Sequence, residues 1–196
     1  MVPIAQGGHA MGRLIYTGIV SLDGYINDTS GTFDWAAPDE EVHAFVNDLE
    51  RSATTYLYGR RMYEVMKVWE AVPEMPDQSE VMLDYADLWR KADKIVFSRS
   101  LESATTPRTR VEREFDPDAV ARLKEEGERH ISIGGPTLAA AAVAAGLVDE
   151  YQLFLCPVLV GGGTPFFPDG SDAGLELLDE RRFASGIVYL RYAARP

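Results

Sequence analysis

Three short segments combine glycine, serine and arginine in ways that suit an anion. In the first, Ile131-Ser-Ile-Gly-Gly-Pro-Thr137, an apolar run delivers two glycines to an alanine-rich stretch. Glycine lets a diphosphate approach the backbone, and the N–H groups and positive end of a following helix favour negative charge. Pro136 suits a first helical turn. A tight strand-to-helix turn with no ligand satisfies the same pattern. The second segment is Tyr58-Gly-Arg-Arg-Met-Tyr63, where Arg60 and Arg61 fall in the first turn after a glycine. Cations there oppose the helix dipole unless an anion sits between them; two solvated arginines are the alternative. The third, Phe97-Ser98-Arg99-Ser100, offers hydroxyls and a guanidinium to a phosphate monoester, or is an ordinary polar loop. Ligands of open α/β sheets bind beyond the carboxyl ends of the strands, so three such ends weigh more together than singly.

Other chemistries lack their residues. The G-x-G-x-x-G fingerprint, the G-x-x-x-x-G-K-[ST] loop and the G-x-S-x-G elbow are absent from the sequence. His9, His43 and His130 are scattered without metal-site spacing, and Cys156 is the lone cysteine, so no metal site and no internal disulfide is expected. His9 is read as solvated, His43 as a surface or interface residue and His130 as structural.

The elements that must position these segments alternate. Leu14 to Val20 reads as a buried strand, followed by a turn-rich stretch containing Gly24, Asn27, Asp28, Gly31 and Pro38. Val42, Phe45, Val46 and Leu49 have helical spacing, as do Met62, Val65, Met66 and Trp69, and then Met82, Tyr85, Ala86 and Trp89. These stripes are read as core faces. Strands are expected at Thr54–Tyr58, Lys94–Phe97, Ile131–Ile133 and Tyr151–Val160. A helix capped by Asp116 and Pro117 runs to about Glu128, and the alanine-rich helix stops at Gly146. Leu175–Phe183 and Gly186–Ala194 read as an antiparallel hairpin turning at Ala184-Ser185. The order predicts an α/β fold, a three-layer α/β/α sandwich whose central sheet is mostly parallel. Residues 1–10 read as a loose tail and residues 11–196 as a single domain, with Met11 as a second start.

The chain has 196 residues, 46% hydrophobic and 26% charged, an ordinary globular balance. Its formal charge of −12 disfavours nucleic acid and anionic membrane surfaces as partners. No apolar run reaches the ~20 residues of a membrane span, and no secretory signal is visible. A cytoplasmic location is the resulting expectation.

With these segments in view, the chain resembles the dihydrofolate-reductase-like superfamily. It is most similar to the reductase domain of the bifunctional riboflavin-biosynthesis deaminase-reductase and its stand-alone relatives. The resemblance runs from about Gly12 to Ala194. It is carried by Ser21-Leu-Asp-Gly-Tyr-Ile26, Phe33-Asp-Trp35, Gly59-Arg-Arg-Met-Tyr63, Lys94-Ile-Val-Phe-Ser98, Gly134-Gly135, Leu147-Val-Asp-Glu-Tyr151 and Pro157-Val-Leu-Val-Gly-Gly-Gly-Thr-Pro-Phe-Phe167. It implies a dihydrofolate-reductase-like sandwich, NADPH as hydride donor, a small-molecule substrate and a homodimer. It puts the cofactor phosphates at Gly59, Arg60, Arg61, Met62, Ser98, Arg99 and Ser100, and the diphosphate at Gly134, Gly135, Pro136 and Thr137. The nicotinamide would lie near Val20, and the substrate near Tyr25, Trp35 and Phe166. Asp23 or Glu40 would supply the proton, Glu40 having the matching spacing after Trp35-Ala-Ala-Pro38.

Two departures stand out. Met62 occupies a position where many relatives carry threonine, and no H-x-E or P-C-x-x-C of a deaminase occurs. Two rival readings remain open: an aminopyrimidine ribosyl phosphate reductase of the riboflavin pathway, and a non-catalytic nucleotide-binding protein on the same fold. The resemblance also predicts a cis peptide at Gly134–Gly135, with Gly135–Pro136 as competitor.

Overall fold

In the computed structural model, which describes residues 12–127 and 129–195, β1 (Leu14–Ser21) lies between two parallel neighbours, β6 (His130–Gly134) and β7 (Glu150–Cys156). Beyond β6 come β3 (Ala53–Gly59), β4 (Asp93–Phe97) and β5 (Thr109–Glu112), all parallel. Beyond β7 the sheet closes with the antiparallel pair β9 (Leu175–Arg182) and β10 (Val188–Ala194). The eight strands run in the order β5-β4-β3-β6-β1-β7-β10-β9. Parallel strands are covered on both faces, which is why β1, β3, β6 and β7 are largely buried.

Helices α1 (Glu40–Glu50) and α3 (Glu80–Lys91) cover one face, and α4 (Pro117–Glu126) and α5 (Pro136–Ala144) the other. Asp39 caps α1 by accepting from the Val42 N–H at 2.9 Å. Buried Asn47 joins α1 to α3, donating to the Val81 carbonyl at 2.9 Å and to Asp84 at 2.8 Å. An aromatic cluster of Tyr56, Tyr58, Tyr85 and Trp89 fills the space beneath, and Tyr63 of α2 (Arg60–Met66) joins it. Lys94, 1% exposed, donates to the Trp89 carbonyl at 3.0 Å and stands 4.2 Å from its ring centroid. Burial pushes its pKa down to about 8. On the other face Leu57, Ile131, Ile133, Leu138 and Ala142 form the apolar core.

The expected α/β sandwich with a mostly parallel sheet and a C-terminal hairpin is the fold observed. Several expectations are corrected. The segment from Met62 to Trp69 is not one helix: α2 ends at Met66 and a 3-10 turn covers Lys67–Glu70, which leaves Val65 46% exposed. The seventh strand stops at Cys156, because the following residues turn to meet the Leu22–Asp23 segment. Helix α4 ends at Glu126. His43 is half-buried between aromatic rings, 5.7 Å from those of Trp69 and Tyr85, and burial lowers its pKa. The short strands β2 (Tyr25–Asn27), β5 and β8 (Thr164–Pro165) carry too few alternating residues to register as strands. The N-terminal tail, His9 and Met11 lie outside the described residues.

Beneath the last turn of α1 the sheet surface turns polar, whereas the rest of the helix packs on the Phe154–Tyr189 cluster. Glu150, 3% exposed at its side chain, binds Arg191 at 2.7 and 3.1 Å and also pairs with Arg13. Burial alone would raise its pKa, but the two guanidiniums outweigh that and hold it low. Glu50 has no such cation: burial pushes it up to about 7, against the Tyr56 and Ser132 hydroxyls. Because the folded chain holds this proton more tightly, its contribution favours folding below pH 4.5 and is lost as pH rises through about 7. Glu50→Gln mimics the protonated form. In urea unfolding it is expected to match the wild type near pH ~4 and to exceed it by about 3 kcal/mol near pH ~8. Equal stability of the two proteins at the higher pH would show that Glu50 is not held uncompensated.

Candidate functional site at the carboxyl ends of the strands

The strand order brings the three anion-suited segments side by side. Gly59 pairs across from Phe97, and Tyr58 from Gly134, so the loops leaving β3, β4 and β6 are neighbours. Adjacent strands are ~4.8 Å apart, a spacing that one diphosphate bridges. Gly135 takes φ +92 and is the N-cap of α5, with no side chain capping it, and Pro136 is in the first turn. The amides of that turn therefore remain available to a ligand. A Cβ on Gly135 would stand 3.3 Å from Met62 Cβ, and one on Gly134 3.2 Å from the Tyr58 ring. Met62 thus packs on the glycine pair and fixes how closely α2 approaches it.

There is no cis peptide among the described residues, so the Gly134–Gly135 and Gly135–Pro136 bonds are trans, contrary to expectation. The left-handed conformation of Gly135 makes the turn into α5.

Arg60 donates to Ser100 Oγ at 2.8 Å, tying the start of α2 to the loop after β4. Ser98 is buried, and its hydroxyl oxygen accepts from the amides of Ser100 and Leu101 at 3.3 and 3.0 Å. Its role is to shape the loop. Arg99 is exposed and paired with Glu114 at 3.1 Å, and Arg61 and Thr137 are exposed at their helix starts. Arg113, which sequence reading missed, braces the loop by donating to the Ser98 and Leu101 carbonyls at 3.3 and 2.8 Å. Its signal was hidden because it follows β5, whose polar residues gave no strand pattern.

The second half of the expected site is a clamp between two glycine-rich segments. The Asp23 carboxylate accepts from the Val160 and Gly161 amides at 3.2 and 2.8 Å. Asn27 Oδ1 accepts from Thr164 N–H at 3.0 Å, Leu22 N–H donates to the Val158 carbonyl at 2.9 Å, and β2 pairs with β8. The Ser21 hydroxyl and these amides hold Asp23 below the usual carboxylate range. Its ionised form is the favoured one, so this geometry makes Asp23 a loop anchor and a poor proton donor. Glu40 is exposed in the first turn of α1, beside the Asp39 cap, while Glu41 pairs with Arg181 at 3.0 Å.

Phe166 is also placed differently. It is 1% exposed and stacks on Tyr16 with centroids 4.1 Å apart, over Gly18, where a Cβ would meet its ring at 2.6 Å. It belongs to the core with Val20, so neither side chain is open to a ligand. Tyr25 is half-buried on β2. Trp35 is half-buried against the Phe154–Tyr189 cluster, and its Nε1 is buried with no hydrogen-bond partner. Trp35 packs in the same cluster as Ile19 of β1 and Cys156 of β7.

The fold is of the dihydrofolate-reductase-like type. The chain belongs to the family of the RibD C-terminal domain, whose model matches residues 13–189. Among curated proteins it is 29% identical over 186 residues to the uncharacterised protein YyaP of Bacillus subtilis, covering 92% of this chain and 94% of that one. Its fold is similar to that of a putative riboflavin biosynthesis protein from Shewanella sp. PV-4, with a TM-score of 0.71, 20% identity and coverage of 94% of this chain and 99% of that chain. It is also similar to the Enterococcus faecalis dihydrofolate reductase complexed with NADP(H) and RAB-propyl, with a TM-score of 0.61, 13% identity and coverage of 95% and 98%.

The clamp generates a steric test. A Cβ at Gly163, which has φ +137, would lie 1.9 Å from the Asn27 carbonyl oxygen, whereas one at Gly161, at φ +72, meets nothing within 4 Å. Gly163→Ala is expected to cost about 2–4 kcal/mol and Gly161→Ala about 1 kcal/mol, read by thermal unfolding. Equal costs would show that the clamp does not hold the two segments together.

Proposed function

We propose that this chain is an NADPH-dependent reductase that transfers hydride to a small heterocyclic, pterin- or pyrimidine-like, or carbonyl substrate. The observation that carries the reading is the convergence of three anion-suited strand ends on the uncapped start of α5. The first-turn amides at the exposed Thr137, at the uncapped start of α5, fit a diphosphate, with Met62 packed over the Gly134–Gly135 pair beside them. Arg60, Arg61, Ser100 and, released from Glu114, Arg99 supply the donors for a 2′-phosphate.

The reduced nicotinamide, when bound, supplies the hydride. The protein's own work is orientation. Trp35, half-buried against the Phe154–Tyr189 cluster, offers the open part of its indole to the substrate ring. Asp23 keeps the Leu22–Tyr25 and Val158–Gly163 segments joined, which fixes the wall beside the end of β1. The proton comes from Glu40 or from water. Membership of the RibD C-terminal domain family favours a pyrimidine-like acceptor over a folate.

The test is a fluorescence titration of the purified protein with NADPH and NADH, following energy transfer from tryptophan. NADPH is expected to bind at least roughly tenfold tighter than NADH, a difference of about 1.4 kcal/mol. Arg60→Ala should remove most of that preference and leave NADH binding unchanged. Binding of neither nucleotide would overturn the reading.

A further inference from the structure

The loop that joins β4 to β5, residues 98–108, carries two of the donors assigned to the 2′-phosphate, Ser100 and the exposed Arg99. Strand pairing fixes where this loop leaves the sheet and where it returns. It does not fix the course between, because a connection of this length has many. Two side chains from outside the loop hold it, one near each end.

Near the first end, Arg113 Nη1 donates to the Leu101 carbonyl at 2.8 Å and the Ser98 carbonyl at 3.3 Å, with the Arg99 carbonyl at 3.5 Å. The Ser98 hydroxyl oxygen accepts from the Ser100 and Leu101 amides within the same turn. Ser100 in turn receives Arg60 at 2.8 Å, so the course of the loop also sets where that guanidinium stands. Near the second end, the Tyr63 hydroxyl oxygen accepts from the Thr105 and Thr106 amides at 3.0 and 3.3 Å. It also stands 3.1 Å from Thr106 Oγ1, which is 2.8 Å from Thr109 Oγ1 at the start of β5. Burial alone would raise the pKa of this phenol, but the hydrogen bonds of the two threonines outweigh it and hold it below its usual value. Packing of the Tyr63 ring in the aromatic cluster requires no hydroxyl, and Arg113 is exposed. Both polar contacts therefore act on the loop rather than on the core.

We propose that Arg113 and Tyr63 are positioning residues for cofactor specificity: they hold the 98–106 segment in the form in which Arg99 and Ser100 meet a 2′-phosphate, and so set the preference for NADPH over NADH. The inference rests on the reductase reading above. A loop held beforehand in its bound form removes the ordering cost from binding. NADH has no 2′-phosphate and does not call on these donors, so its affinity is independent of the order of the loop. Tyr63 is 1% exposed, which keeps it from the nucleotide, and its effect passes through the loop alone.

The experiment has two readouts. In the nucleotide-free protein, amide hydrogen exchange is followed by NMR at Ser100, Leu101, Thr105 and Thr106. Arg113→Ala is expected to speed exchange at the first pair and Tyr63→Phe at the second, each by about tenfold. In the fluorescence titration each variant should weaken NADPH binding about fivefold and leave NADH within about twofold of the wild type. Arg113→Lys, which keeps a donor, should recover most of the loss. An arginine that acted only by touching the phosphate would leave exchange in the free protein unchanged, and that result would overturn the role given to Arg113. A wild type that binds neither nucleotide overturns the reductase reading and this inference with it. A wild type that prefers NADPH, with Tyr63→Phe and Arg113→Ala keeping that preference whole, overturns this inference alone.

Discussion

The parallel pairing of β3 with both β4 and β6 is the constraint on which the candidate nucleotide site depends. It aligns Gly59 with Phe97 and Tyr58 with Gly134, so three loops far apart in sequence leave the sheet together. Side-chain period in a strand is two, and a slip of one residue in either register would turn every core side chain outward. The apolar faces of β3, β4 and β6 therefore fix the positions of the glycines and arginines at their ends. The site inherits its geometry from packing rather than from contacts among its own polar groups.

A second constraint is steric. The glycines at 134, 135 and 163 are accounted for by what stands against them: the Tyr58 ring, the Met62 side chain and the Asn27 carbonyl. Glycine-rich segments of this kind serve two ends at once, since the same absence of Cβ that admits a neighbouring chain also admits a ligand. Met62 belongs to both accounts. It fills the space over the glycine pair where a threonine hydroxyl would offer a hydrogen bond, so this chain relies on Arg60 and Ser100 for polar contacts there.

The two faces of the sheet divide the work differently. The face under α4 and α5 carries the main apolar core. The face under α1 carries a polar seam in which Glu150 is neutralised by two arginines and Glu50 by none. A buried carboxyl without a counter-charge destabilises the ionised form of the folded chain.

The sequence alone determined the α/β class, the order of the main elements and the hairpin, because apolar period and capping residues are local signals. It also marked the Gly59–Met62, Ser98–Ser100 and Gly134–Thr137 segments, because glycine beside basic or hydroxyl residues is legible without a fold. What it did not determine were the partners of those residues. Asp23 and Phe166 read as site groups by motif, yet one anchors the Val160–Gly161 turn and the other stacks on Tyr16, since both contacts join residues more than a hundred positions apart. Arg113 stayed silent behind a four-residue polar strand. Glu50 read as one more residue of an amphipathic helix; only the tertiary structure, by closing β3 and β6 over the end of α1, buried its carboxyl without a counter-charge.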